Sequence, residues 1–285
     1  MNVSIIGLGL IGGSLALSLR QKGFTKSITG YDRNPVHGTR ALELGIVDQV
    51  VNSIEELSDT DLLILAIPVD YSSALLPKLL NMVSSKTIIT DVGSTKSGIC
   101  QNVKDHPRRV QYVAAHPIAG TEFTGPDAAF DGLFDQKRLI ICDPDLSRPD
   151  ALELVQKMYE SVGMKVVFMG SEEHDLHAAY VSHLSHIISF TLGLTVLDIE
   201  KDREQIFNLA SSGFASTARL AKSSSEMWAP IFQQNSNHLP KAIDQFINYL
   251  SQFRDAIESN DPDKTKALMN EANKIRKILK EIDGQ

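Results

Sequence analysis

The chain has 285 residues, 42% of them hydrophobic and 22% charged, and a formal net charge of −7. That is enough for one large domain or two ordinary ones, and the composition excludes a disordered chain. The acidic balance argues against sequence-independent nucleic-acid binding, which needs a basic surface.

The N-terminal stretch SIIGLGLIGGSLALSL is apolar, but no positive charge precedes it and glycines interrupt it. No signal peptide is expected there, and no run of about 18 apolar residues reads as a membrane span. Cys100 and Cys142 form no CxxC pair and no disulfide framework, which suits a reduced, cytoplasmic setting.

In chain order, short apolar runs lie at 3–7, 27–32, 61–68, 86–93, 112–117 and 138–144. Helix-like stretches such as GSLALSLRQKG and SSALLPKLLNMV separate several of them, and a last helix–strand unit ends at 164–170. The runs are continuously apolar, as strands buried on both faces should be. The expectation is an α/β domain with a mainly parallel sheet and helices on both faces. After Gly170 the chain reads as helix throughout. The expected domains are therefore 1–170, α/β, and 171–285, all-α. The first helix of the second part is apolar nearly all round, which suggests burial against a partner subunit.

The first strand ends in Gly7-Leu8-Gly9-Leu10-Ile11-Gly12 and opens a helix. One glycine allows the tight turn, the next lets backbone approach a pyrophosphate, and the third lets helix pack on strand. The N–H groups at the helix start, around Leu10 and Ile11, then face the phosphates. Asp32 follows 20 residues after Gly12, at the end of the second strand. A carboxylate there accepts from ribose hydroxyls and repels a 2′-phosphate, which favours NAD over NADP. Arg33 beside it could instead receive that phosphate. The loops 66–70, with Ile67 and Pro68, and 91–98, with Ser94, follow strands on the same ligand-facing edge. His116, in AAHPIAGTE, also ends a strand and so faces the same crevice.

The segment HDLHAAYVSHLSH holds His174, His177, His183 and His186. At about 100° per residue, the first two share one face and the last two a nearly opposite one. One straight helix cannot gather all four around a metal, so no metal is expected. His174 and His177 read as core or interface residues. Arg219 and Lys222 are three apart on one helical face, where they could meet an anion together.

These residues resemble the prephenate/arogenate dehydrogenases of tyrosine biosynthesis. The matching stretches are GLGLIGGS (7–14), DVGSTK (91–96), HPIAGTEFTG (116–125), VSHLSH (181–186) and STARLAKSSSEMW (216–228). The resemblance implies a Rossmann-type domain followed by a helical dimerisation domain like that of 6-phosphogluconate dehydrogenase, and hence a homodimer. It implies NAD-dependent oxidative decarboxylation of a cyclohexadienol, prephenate or arogenate. His116 would be the catalytic base, Ser94 would sit near nicotinamide and hydroxyl, and Arg219 would grip the ring carboxylate. His186 and, less directly, His183 would meet the substrate's side-chain end. Glu122 would orient or gate, and Trp228 would line the pocket. The chain departs from the family pattern at Ser185 and at Ser224-Ser225. Neither a chorismate mutase segment nor an ACT-type regulatory domain is expected.

Two other readings share the architecture. A β-hydroxyacid or imino-acid dehydrogenase would also join a Rossmann domain to helices, but such hydroxyacid enzymes are expected to use a helical-domain lysine where histidines dominate here. An NAD-sensing protein without turnover is the third, because fold alone does not grant function.

Overall fold

The computed structural model describes residues 1–200 and 206–283. The chain divides into two compact units, Met1–Ser236 and Asn237–Gln285.

The first unit begins with β1 (Asn2–Ile6), α1 (Leu10–Gln21), β2 (Ser27–Tyr31), α2 (Pro35–Glu43) and the two-residue β3 (Gln49–Val50). It continues through β4 (Leu62–Leu65), α3 (Val69–Met82), β5 (Ile88–Asp91), α4 (Ser97–Asn102) and β6 (Tyr112–Pro117). Then come β7 (Arg138–Cys142), α5 (Pro149–Ser161) and β8 (Lys165–Met169). The strands form one sheet in the order β3-β2-β1-β4-β5-β6-β7-β8. The first six are mutually parallel. β7 runs antiparallel to β6, and β8 is parallel to β7. Residues 118–137 join β6 to β7 through loops and the 3-10 turn Pro126–Ala128. Without a crossover helix, the chain cannot return to start a parallel neighbour.

Strand side chains alternate between two cores. Leu62 and Ile64 of β4 join Leu15 and Leu19 of α1 and Val155 and Met158 of α5. Leu63 and Leu65 join Leu76 and Leu80 of α3 and Ile99 of α4 on the opposite face. Each such leucine, fully buried, contributes about 1.5–3 kcal/mol relative to exposure. This explains why the strands read as unbroken apolar runs.

The strand order reverses between β1, which passes to β2, and β4 on its other side. The crevice above this point is where open parallel sheets take ligands.

After β8 the unit continues with α6 (Ser171–Ala178), a π-helical turn (Ala179–His183), α7 (Leu184–Glu200), α8 (Ser212–Ala218) and α9 (Ser225–Gln234). Ser171–Ile199 is a continuous helical path, long and apolar enough by composition to cross a membrane. The sequence expectation of no membrane-length run missed it, because histidines and serines interrupt the apolar residues. Its first turns are fixed to the sheet, since Asp175 is buried and accepts from backbone N–H groups after β5. Further along, Leu194 and Leu197 are 65% and 53% exposed.

The second unit consists of α10 (Leu239–Glu258), α11 (Pro262–Ala272) and α12 (Arg276–Asp283). Asp261 caps α11 by accepting from the Lys264 N–H at 2.9 Å.

Candidate active site

The glycine-rich turn shows its purpose through the space each glycine needs. Gly7 has φ +97°, and a Cβ there would lie 2.2 Å from the Ala66 carbonyl oxygen. At Gly12 a Cβ would lie 2.0 Å from the Gly7 carbonyl oxygen. Both positions are closed by the protein itself. Gly9 differs: the nearest atom to its Cβ would be Gly125 N, at 4.0 Å. The space over Gly9 is open, and α1 starts there without a side-chain cap. The orphan N–H groups of its first turn, at Leu10 and Ile11, remain available.

Asp32 stands beside this turn. Its Oδ2 accepts from Leu8 N at 2.9 Å and its Oδ1 from Asn34 N at 2.8 Å. The carboxylate is therefore aimed, and its remaining lone pairs suit a diol. The Arg33 guanidinium lies 5.5 Å from the Tyr71 ring centroid. Ile67 and Pro68 form the opposite wall, where Ser72 Oγ donates to Ile67 O at 3.1 Å and Ser72 N to Pro68 O at 2.9 Å. An open glycine, an uncapped helix start and an oriented carboxylate fit a dinucleotide.

The loop after β5 carries Ser94, half-buried between anchors. Asp91 accepts from Gly93 N at 2.8 Å. Thr95 Oγ1 donates to Gln234 Oε1 of α9 at 2.6 Å, and Lys96 N donates to Asp175 of α6 at 2.8 Å. Beneath lies a fully buried ion pair, Lys96 with Asp91. Lys96 Nζ also donates to Ala115 O at 2.9 Å, and Tyr112 Oη donates to Asp91 Oδ1 at 2.7 Å. This network ties together the carboxyl ends of β5 and β6.

His116 emerges immediately after that network, half-buried. Its Nδ1 lies 2.8 Å from Nε2 of His174. His174 Nδ1 lies 2.8 Å from Oδ1 of Asp175. Burial pushes the His116 imidazole well below its ordinary 6.5, and the Lys96 ammonium acts in the same direction. The site therefore favours the neutral imidazole over the charged one. Burial works against ionisation of Asp175, but hydrogen bonds from His174, Lys96 N and Ser97 N outweigh it and hold the carboxyl below its usual range.

Two readings of the histidine segment need correction. Of the pair read as core or interface residues, His174 is 3% exposed and belongs to the core, whereas His177 is exposed and does not. His174 is also more than a packing residue, since it contacts His116. Nor does His183 face away from His174. The π turn over Ala179–His183 closes i→i+5, which inserts one residue and turns the remainder of the helix back by about 100°. His183 is consequently buried on the inner side, its Nδ1 3.0 Å from Asn235 Nδ2, which itself donates to Asp175 O at 2.7 Å. Burial pushes His183 down to about 4.

His186 is half-buried and stacks on Trp228, ring centroids 3.4 Å apart. Its Nδ1 donates to Ser182 O at 3.1 Å, leaving Nε2 to accept. Burial lowers its basicity, with Arg219 adding to that effect. Among the described residues, buried His183 Nε2 and Trp228 Nε1 have no protein partner. Arg219 is half-exposed, with Nη1 3.9 Å from Glu122 Oε2. Glu122 lies six residues beyond His116, so this pair joins the helical segment to the loop after β6.

The structure thus brings Glu122 and Arg219 together, places His116 against His174, and gathers His183, His186 and Trp228. Sequence reasoning did not find Lys96, Asp91, Asn235 or the His174–Asp175 pair as parts of the site. The His-Asp dipeptide was visible, but nothing local points it at a residue 58 positions away.

Residues 15–168 match the prephenate dehydrogenase nucleotide-binding domain, and residues 170–271 match the prephenate dehydrogenase dimerization domain. A cyclohexadienyl dehydrogenase of Zymomonas mobilis is 32% identical over 98% of this chain and 96% of its own. A prephenate dehydrogenase of Bacillus subtilis is 31% identical over 91% of this chain and 71% of its own. The crystal structure of prephenate dehydrogenase from Aquifex aeolicus with hydroxyphenyl propionate and NAD+ superposes with a TM-score of 0.91. Its sequence is 33% identical, with 98% of each chain covered.

Proposed function

Because the chain belongs to the prephenate dehydrogenase family, we propose that it oxidatively decarboxylates prephenate with NAD and that His116 is its base. The observation that carries the residue assignment is His116 at the carboxyl end of β6, on the same edge of the sheet as the glycine turn that follows β1. Bound NAD supplies the acceptor for the hydride that leaves substrate C4. His116 holds the 4-hydroxyl proton while the C–H bond breaks and returns it to the phenol oxygen. The ring carboxylate departs as carbon dioxide, and the ring becomes aromatic. Arg219 grips that carboxylate through its planar fork, with Glu122 orienting the guanidinium until substrate arrives. Ser94 steadies the hydroxyl near the nicotinamide. His186, stacked on Trp228, offers its place to the side-chain end, with His183 behind it. Gly7, Gly9, Leu10, Ile11, Gly12, Asp32, Arg33, Ile67 and Pro68 line the cofactor's path.

Arogenate is the second substrate reading. It differs from prephenate only in carrying an alanyl side chain for a pyruvyl one, and Arg219 would serve both. The likeness to a cyclohexadienyl dehydrogenase favours testing it. We further propose residues 1–170 as the cofactor-binding part and 171–285 as the substrate and dimerisation part. The exposed Leu194 and Leu197 of α7 support a homodimer, and the free, buried Cys100 and Cys142 suit the cytoplasm.

The test is NADH formation from prephenate and from arogenate, each with NAD and NADP, by the parent and by His116→Asn. The parent is expected to turn over prephenate with NAD. The variant should keep NAD affinity and lose about 100-fold or more in kcat. Unchanged turnover would remove His116 from the chemistry.

A further inference from the structure

The contacts behind His116 determine which of its nitrogens can accept a proton. Both oxygens of Asp175 take backbone N–H groups, Oδ1 from Lys96 and Oδ2 from Ser97, each at 2.8 Å. Held ionised in this way, Asp175 has no proton to give. Across the 2.8 Å contact, His174 Nδ1 must therefore be the donor. With one ring proton, engaged at Nδ1 by Asp175, His174 presents a bare Nε2 to His116, again at 2.8 Å. His116 Nδ1 must then donate, and its single proton is used. Nε2 of His116 is left as the lone pair.

We propose that Asp175 and His174 form a positioning relay that holds His116 in its Nδ1–H form, keeping Nε2 free to take the substrate's hydroxyl proton. The relay works as His116 becomes charged. The imidazolium can pass its field to His174 and onto the buried carboxylate, without any group moving. Opposing this, burial, His174, Lys96 and His183 all disfavour a proton on His116, and Asp91 is already engaged by Lys96, Tyr112 and two backbone N–H groups. Asp175 is the carboxylate in line with His116. A protonated His174 would reverse the arrangement, making His116 Nδ1 an acceptor and Nε2 a useless donor. The pattern of an acid fixing a histidine's tautomer is familiar from other proton-transfer sites. Here a second histidine is interposed, and acid and relay histidine come from α6 while the base sits on β6.

The inference rests on His116 being the base, so the experiment tests the two separately. Histidine-specific 15N spectra of the intact enzyme, assigned by loss of a signal in His116→Asn, report which nitrogen of His116 carries the proton. The expected form is Nδ1–H. His174→Phe, which cannot accept, should lower kcat about 100-fold, with KM for prephenate within about twofold and NAD binding unchanged. His174→Gln, whose carbonyl oxygen can still accept from Nδ1–H, should recover kcat to within about tenfold of the parent. An Nε2–H signal for His116 in the parent, or a His174→Phe enzyme with parental kcat, would overturn the relay. Should His174→Phe not fold, the parental spectrum decides alone. Full activity in His116→Asn would instead remove the base itself, a different result from an inactive His116→Asn beside an active His174→Phe.

Discussion

One methyl group separates the roles of Gly7 and Gly9. At Gly7 it would collide with the Ala66 carbonyl on backbone that already has φ +97°. At Gly9 it would enter open space, 4.0 Å from the nearest atom. Gly7→Ala should therefore destabilise the fold by about 2 kcal/mol or more, seen as a lower urea midpoint. Gly9→Ala should unfold like the parent but bind NAD about tenfold or more weaker, because the methyl occupies the pyrophosphate's approach. Intrinsic-fluorescence titration with NAD measures that loss. If Gly9→Ala bound NAD normally, the open space over α1 would not be the phosphate cradle.

At the scale of elements, the carboxyl ends of β5 and β6 are joined by the buried Lys96–Asp91 pair. Its two halves are unequally supported. Without Lys96, Asp91 keeps the Tyr112 hydroxyl and the N–H groups of Gly93 and Ala115. Without Asp91, the Lys96 ammonium keeps the Ala115 carbonyl alone. Breaking a buried pair costs about 3–5 kcal/mol, and Asp91→Ala should lie at the upper end and Lys96→Met at the lower. Chemical denaturation of both variants checks the order; equal losses would contradict it. Much of this region was legible beforehand. The unbroken apolar strands, the glycine turn with Asp32, and His116 at a strand's end all follow from local pattern. Three things were not legible. A strand's direction leaves no mark on its own residues, so β7's reversal showed only in the helix-free stretch 118–137. The π turn changes hydrogen-bond register without changing composition, so a uniform 100° count misplaced His183. The His116–His174 contact is tertiary, and no spacing rule reaches across it.

At the scale of the whole molecule, burial of titratable groups sets how the fold meets acid. His183 has an ordinary value of 6.5 when exposed in the unfolded chain and is pushed down to about 4 in the fold. Between those values the unfolded chain takes up a proton that the folded one refuses, so stability falls as pH drops. The loss from this residue reaches about 3 kcal/mol by pH 4. His183→Gln should remove that part of the dependence. Melting temperatures at pH 7, 6, 5 and 4 should show the variant declining less steeply than the parent. Parallel curves would mean that His183 protonates freely in the fold. Assembly can be read at this scale too. Leu194→Glu on the exposed apolar stretch of α7 should convert a dimer to monomer in light scattering, and a parent already monomeric would end the dimer proposal.

The bonds from the loop after β5 to α6 and α9 bear on how such a chain can be rebuilt. Thr95 holds Gln234, Lys96 and Ser97 hold Asp175, and Asn235 holds the Asp175 carbonyl. A protein cut after residue 170 would retain the glycine turn and Asp32 yet leave His116 without His174. The cofactor half is therefore not a portable module. Grafted onto foreign helices, it would carry NAD-binding chemistry with it but leave behind His174 and Asp175, the groups proposed to orient His116. Chimeras between relatives should be joined after Gln234 and Asn235 rather than at the end of the sheet.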